Sequence, residues 1–229
     1  MPETGKILIV VSAAHYIALN NGAQHPTGYW AEELVTPYRR FIQAGWPADI
    51  ATPGGVVPVA DPLSLDAREF NGDQARVDDL KQALAQMDEA LSRPLALDAL
   101  RDLSGYAAVF FPGGHGPMVD LARDDEVVRI LRFMREAGRP IAALCHGPAA
   151  LLRWRDAQGR WPLEGYRMTC FSNAEEDQTE VAGQLPYALE SVLRELGAQV
   201  EPGLPWQNTV VVDRQLLTGQ NPASAAALA

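Results

Sequence analysis

The chain has 229 residues, 47% of them hydrophobic and 21% charged, which excludes a disordered polypeptide and fits a single domain with a modest insertion. Its 19 Lys and Arg are scattered against 29 Asp and Glu, and the net charge of −10 reads as a solvated acidic surface, with no nucleic acid expected as a partner. Two cysteines, Cys145 and Cys170, give neither a disulfide framework nor metal-ligand spacing, and no leader or membrane-length apolar run is seen; a cytoplasmic protein with no membrane contact is expected.

Residues 6–12 (KILIVVS) form a β-branched run suited to a central parallel strand. Residues 28–44 follow with Leu34, Val35, Tyr38, Phe41 and Ile42 at helical spacing, Gly45 as a stop and Pro37 as an expected kink. A strand at 47–52 completes a βαβ opening. Residues 53–103 change character: a Pro- and Gly-punctuated loop precedes a helix expected at 74–91, and the segment reads as a helical cap insertion. The strand at 106–111 (YAAVFF) runs into Pro112, Gly113, Gly114, His115 and Gly116. A helix at 124–137, acidic in its first turn and stopped by Gly138, leads to a strand at 140–144 and then to Cys145. Beyond it are expected a helix starting near His146, a strand at 167–171, a helix at 187–196, strands at 209–212 and 215–217 joined by Asp213 and Arg214, and a helical tail at 221–229. Strands alternating with helices specify an α/β sandwich on a parallel sheet, with its site at the carboxyl ends of the strands.

Three segments carry chemistry. Cys145 sits between Ala143 and Gly147 where a buried strand turns into a helix, and small residues at these positions let the two backbones approach around a nucleophile. A helix amino terminus there favours thiolate, and Cys145 is read as more than a core thiol because a core thiol does not need the composition of this elbow. The loop Gly113, Gly114, His115 and Gly116 can present backbone N–H groups to a developing oxyanion. Thr27 to Leu34 opens the first crossover helix over the same edge, where a buried carboxylate can serve as acid or base; Glu32 and Glu33 lie about 100° apart, so at most one faces the site.

The combination of Thr27-Gly28 with Glu33 and Pro37, Asp61-Pro62 with Ser64, Gly114-His115-Gly116, Cys145-His146-Gly147-Pro148 and Thr218-Gly219-Gln220-Asn221-Pro222-Ala223-Ser224 resembles the ThiJ/PfpI superfamily. Within it the match is to the larger-capped branch of glutathione-independent glyoxalases (glyoxalase III) and related heat-shock chaperones. The resemblance spans essentially the whole chain. It implies a class I glutamine amidotransferase-like, flavodoxin-like α/β/α sandwich, a homodimer, no metal or organic cofactor, and a Cys-His-acid triad. Carried over by position, Cys145 is the nucleophile, His146 its partner and Glu33 the buried carboxylate that bonds the thiol and shuttles protons. The triad acid falls within Glu175, Glu176 and Asp177, with spacing from Phe171 favouring Glu176. Trp30 is a candidate pocket wall, and His25, in the loop before Thr27, a candidate for the pocket mouth as an alternative to a plain surface histidine. The implied reaction converts a small 2-oxoaldehyde such as methylglyoxal to a 2-hydroxy acid through a Cys145 hemithioacetal. Cysteine-dependent hydrolysis of an amide, ester or peptide, and a holdase or redox-sensor role, are the rival readings.

Overall fold

The computed structural model describes residues 5–229; the sequence reading of the amino terminus rests partly on residues 1–4, which lie outside these. In chain order its strands are β1 (Lys6–Val10), β2 (Tyr16–Ala18), β3 (Gln24–Pro26), β4 (Ala48–Thr52), β5 (Leu95–Ala96), β6 (Tyr106–Phe111), β7 (Ile141–Leu144), β8 (Arg167–Met168), β9 (Gln199–Val200), β10 (Val210–Asp213) and β11 (Leu216–Gly219). The α-helices are α1 (Ala31–Gln43), α2 (Gln74–Gln86), α3 (Asp88–Ser92), α4 (Asp125–Glu136), α5 (Asn173–Glu176), α6 (Leu189–Glu195) and α7 (Ala225–Leu228). None of them is long and apolar enough to cross a membrane.

A seven-stranded sheet runs in the order β10-β11-β7-β6-β1-β4-β5, parallel throughout except for β10, which returns antiparallel to β11 through Arg214 at φ 55°. Strands covered on both faces must be apolar on both, and the pleat sorts their side chains between two layers. Leu8, Val10, Val109 and Phe111 join Val127, Ile130, Leu131 and Met134 of α4. Ile7, Ile9 and Phe110 point the other way, to Leu34 and Val35 of α1 and to Val77 and Leu80 of α2. Helix α4 starts where Asp124 accepts the N–H groups of Glu126 and Val127, satisfying two donors that the first turn leaves free. Because β1, β6, β7 and β11 are parallel and adjacent, the segments leaving their carboxyl ends share one edge of the sheet.

Several elements differ from expectation. The helix expected at 74–91 is two, α2 and α3, because Met87 leaves helical geometry (φ −92°, ψ 5°) while its side chain stays buried. The strand expected at 167–171 is only β8, which pairs with β9 outside the main sheet. The helix expected near His146 is a five-residue 3-10 turn, Gly147–Leu151, with Pro148 in its first turn and all five residues buried. The tail is likewise a 3-10 turn, Pro222–Ser224, followed by α7.

A Cβ added to Gly147 would sit 2.3 Å from the carbonyl oxygen of Phe111, a backbone atom that cannot swing aside, whereas one added to Gly105 would meet nothing within 4 Å. Gly147→Ala is therefore expected to lower stability by roughly 1–3 kcal/mol or more through overpacking. Gly105→Ala should leave the denaturant midpoint nearly unchanged; equal midpoints for the two variants would contradict the packing described.

Candidate active site

Cys145 follows β7 directly and adopts φ 59°, a left-handed conformation that non-glycine residues rarely hold. Two backbone hydrogen bonds fix it there: its N–H donates to Gly219 at the end of β11 (2.9 Å), and its carbonyl accepts from Phe171 (2.9 Å). The bend leaves the sulfur facing the segment after β6. A Cβ on Gly113 would lie 2.6 Å from Cys145 Cβ, 2.6 Å from Glu33 Oε2 and 2.7 Å from the Leu144 carbonyl oxygen, so only glycine fits between the end of β7 and the buried carboxyl.

Cys145 Sγ lies 3.3 Å from His146 Nδ1, and His146 Nε2 lies 2.7 Å from Glu176 Oε2. The other carboxyl oxygen of Glu176 is 3.0 Å from His115 Nε2, and the two imidazoles are 4.4 Å apart. Burial by itself would raise the Glu176 carboxyl, but the charge that His146 can carry and the bonds from His115 and His146 outweigh it and hold Glu176 well below the usual carboxylate range. An ionised carboxylate only accepts, so His146 carries its proton on Nε2 and turns the lone pair of Nδ1 to the sulfur. Burial, more than Glu176 opposes it, pushes the His146 pKa down and keeps the ring neutral.

Glu33, in the first turn of α1, is completely buried, while its neighbour Glu32 turns to an ion pair with Arg76. Glu33 Oε2 accepts the Gly113 N–H at 2.9 Å. Burial pushes the Glu33 carboxyl up to about 8, against the lowering effect of hydrogen bonds with Cys145 and Gly113. It is therefore protonated near neutral pH and able to donate. Burial likewise pushes the Cys145 thiol up, with the Glu33 carboxyl adding to it and a bond from the Gly114 N–H opposing. A resting thiolate, expected from the sequence, is not what this environment favours: the five-residue 3-10 turn supplies little of the dipole that a full α-helix would. The pair instead holds its protons ready beside a neutral imidazole.

The structure thus brings together Cys145, His146, Glu33, Glu176 and His115. It gives the glycine loop a different division of labour from that expected. Gly113 donates to Glu33, Gly116 to the Gly28 carbonyl (3.3 Å), and His115 acts through its side chain on Glu176, which leaves the Gly114 N–H at the sulfur. His25 lies in β3, paired with Ile17, and makes no hydrogen bond to any of these groups. Trp30 caps α1, donating its backbone N–H to Gly113, and lines a neighbouring cleft of about 440 Å³ together with Phe70, Trp206 and Asn221. Donor atoms of His115, His146 and Glu176 fall within 4.8 Å of one another, a spacing that could hold a metal ion, but hydrogen bonds already account for the arrangement.

Sequence reasoning missed the role of Glu175. Its buried carboxyl accepts five hydrogen bonds: from Ser172 N–H and Oγ, Trp206 N–H, Gln220 Nε2 and Asn221 Nδ2. It ties the segment after β11 to the start of α5, the helix that carries Glu176. A signal was present, since Ser172-Asn173-Ala174-Glu175 has the spacing of a capping box, and that box forms.

A thiol at the bend after a central parallel strand, backed by histidine and glutamate, defines a Cys-His-Glu arrangement on a flavodoxin-like α/β sandwich. The chain belongs to the DJ-1/PfpI family, whose model matches residues 26–229. It is 31% identical over 233 residues to the protein/nucleic acid deglycase HchA of Pseudomonas aeruginosa, covering 96% of this chain and 77% of that one. The glyoxalase III structure from Candida albicans superposes with a TM-score of 0.82 at 26% identity, covering 99% of this chain and 95% of that one. The Rapid Encystment Protein 24 KDa of Francisella tularensis does so with a TM-score of 0.83 at 28% identity, covering 98% and 95%.

Because the folded protein holds the Glu33 proton up to about pH 8, the stability this confers is complete below the ordinary glutamate value near 4.3 and declines as pH rises towards 8. The loss approaches about 1.4 kcal/mol per pH unit within that window. Glu33→Gln cannot ionise and escapes it, so its stability relative to the wild type should climb from pH 5 to pH 8 and then level off. Urea titrations of both proteins across this range check the slope; parallel curves would refute it.

Proposed function

We propose that the protein is a glutathione-independent glyoxalase that converts a free 2-oxoaldehyde, such as methylglyoxal, to the 2-hydroxy acid. The reading is supported most directly by the Cys145 Sγ to His146 Nδ1 approach of 3.3 Å beside a protonated, buried Glu33. The sulfur adds to the aldehyde carbon as its proton passes to His146 Nδ1 and the aldehyde oxygen takes the proton of Glu33, giving a hemithioacetal. Glu33, now carboxylate, removes the hydrogen of that carbon while the ketone oxygen takes the proton from His146, forming an enediol. Glu33 returns its proton to the second carbon and His146 accepts the hydroxyl proton of the first, leaving a thioester. Water then adds to the thioester, giving one proton to Glu33, and the departing sulfur takes the proton on His146. One carbon is oxidised and its neighbour reduced, so the electrons stay within the substrate and no external carrier enters the balance.

The reading includes a homodimer in the cytoplasm acting on a small carbonyl compound. The relatives named protein/nucleic acid deglycase raise a second possibility, removal of 2-oxoaldehyde adducts from larger molecules, and with it a nucleic-acid substrate that the acidic composition did not anticipate. Cys145 is only 4% exposed, which favours a small free aldehyde reaching it.

Purified protein incubated with methylglyoxal and no glutathione should form lactate. Cys145→Ala should abolish the reaction, and Glu33→Gln should lower kcat/KM by about a hundredfold or more. Unchanged activity in either variant would remove the proposal. Since the protonated carboxyl of Glu33 is required in the first step, wild-type kcat/KM should fall as pH rises through about 8. A profile flat to pH 9.5 would show that Glu33 does not supply that proton.

A further inference from the structure

The cleft between the start of α1 and the segment after β11 is lined by none of the reacting groups, and its walls are not needed for proton transfer on a three-carbon aldehyde. Trp30 and Trp206 face it together with Phe70, and Asn221 with the two residues after it close one side. Each wall is one step from the reacting groups. The Trp30 N–H holds the Gly113 carbonyl, Asn221 follows closely on the Gly219 carbonyl that accepts the Cys145 N–H, and Trp206 packs edge-on against Phe171 at 5.5 Å. Phe171 in turn lies 4.7 Å from the His146 ring, so aromatic surface runs without a break from the cleft to the imidazole.

Trp206 is 47% exposed and stands at φ 64°. Its position is nevertheless fixed, by its own N–H to Glu175 Oε1 (2.8 Å) and its indole N–H to Gln178 Oε1 (2.8 Å). About half of this residue is left open to solvent while its position is held, and preorganised aromatic faces are what a flat ligand stacks on. The Trp30 indole N–H, by contrast, is sealed from solvent with no hydrogen-bond partner among the described residues, so it presents no donor to the open cleft. The two arginines of the cleft are engaged, Arg76 with Glu32 and over the Phe70 ring, and Arg68 with Asp66. Among the described residues, that leaves no unpaired cation lining the cleft to select a phosphate or carboxylate.

We infer that this cleft is a specificity subsite for a planar aromatic group, and that the enzyme prefers 2-oxoaldehydes carrying such a group over methylglyoxal. The inference rests on the glyoxalase reading. Trp206 stacks on the ring while the aldehyde carbon reaches Cys145; the chemistry is that proposed above with an aryl group on the second carbon.

The test compares phenylglyoxal with methylglyoxal as substrates, without glutathione, in wild type, Trp206→Ala and Trp206→Phe. Wild type should favour phenylglyoxal in kcat/KM by tenfold or more, chiefly through a lower KM. The ratio should fall at least tenfold in Trp206→Ala and largely recover in Trp206→Phe, which keeps a ring to stack. A purely structural role for Trp206 would depress both substrates alike and leave the ratio intact, and that result would overturn the inference, as would a wild-type preference for methylglyoxal. Absence of turnover with both aldehydes in the wild type would instead remove the glyoxalase reading on which the inference stands.

Discussion

Everything at the site depends on how closely three backbones approach at the end of β7. Cys145 is held at φ 59° by hydrogen bonds to Gly219 and Phe171, with Gly113 on one side too near for any side chain and Gly147 pressed against the Phe111 carbonyl. A left-handed cysteine is unfavourable in isolation and persists because its surroundings overdetermine it. The same two hydrogen bonds join β11 and the Phe171 segment to the nucleophile. Glu176, five residues beyond Phe171, is therefore carried on a piece of chain already fastened to the nucleophile.

Two adjacent glutamates show how burial and partners divide similar side chains. Glu175 is surrounded by five donors and serves as a knot between the loop after β11 and the start of α5. Glu176 accepts from two histidines and fixes the tautomer of the one that meets the sulfur. Glu33 has few donors and much hydrocarbon, and it keeps its proton. Three buried carboxyls thus take three roles, set by the number of N–H and O–H groups aimed at each.

The long strands and helices were legible in the sequence because β6 is an unbroken apolar run and α4 a complete periodic pattern, bounded by glycine or a capping aspartate. The short pieces were not. Strands of two or three residues such as β5, β8 and β9 have no period to read, and tertiary pairing creates them. The turn after Cys145 looked helical because Gly147 and Pro148 are as compatible with the start of an α-helix as with a 3-10 turn. At the site, Cys145 and Glu33 were reachable from the elbow composition and the family pattern. The bond from His115 to Glu176 was hidden, since no local spacing relates residues 61 positions apart. The fixed, half-exposed setting of Trp206 was equally hidden, because it comes from what the backbone does around it.

The complete burial of Glu33 has a consequence for isotopes. A carboxyl sealed from water exchanges its hydrogen with the bulk only when the surrounding chain opens. In the proposed reaction, deuterium entering on the aldehyde carbon would be parked on that oxygen and handed to the adjacent carbon before solvent could wash it out. The hydroxy acid would then keep the label, and the fraction retained would measure how tightly the fold closes over a single carboxyl group.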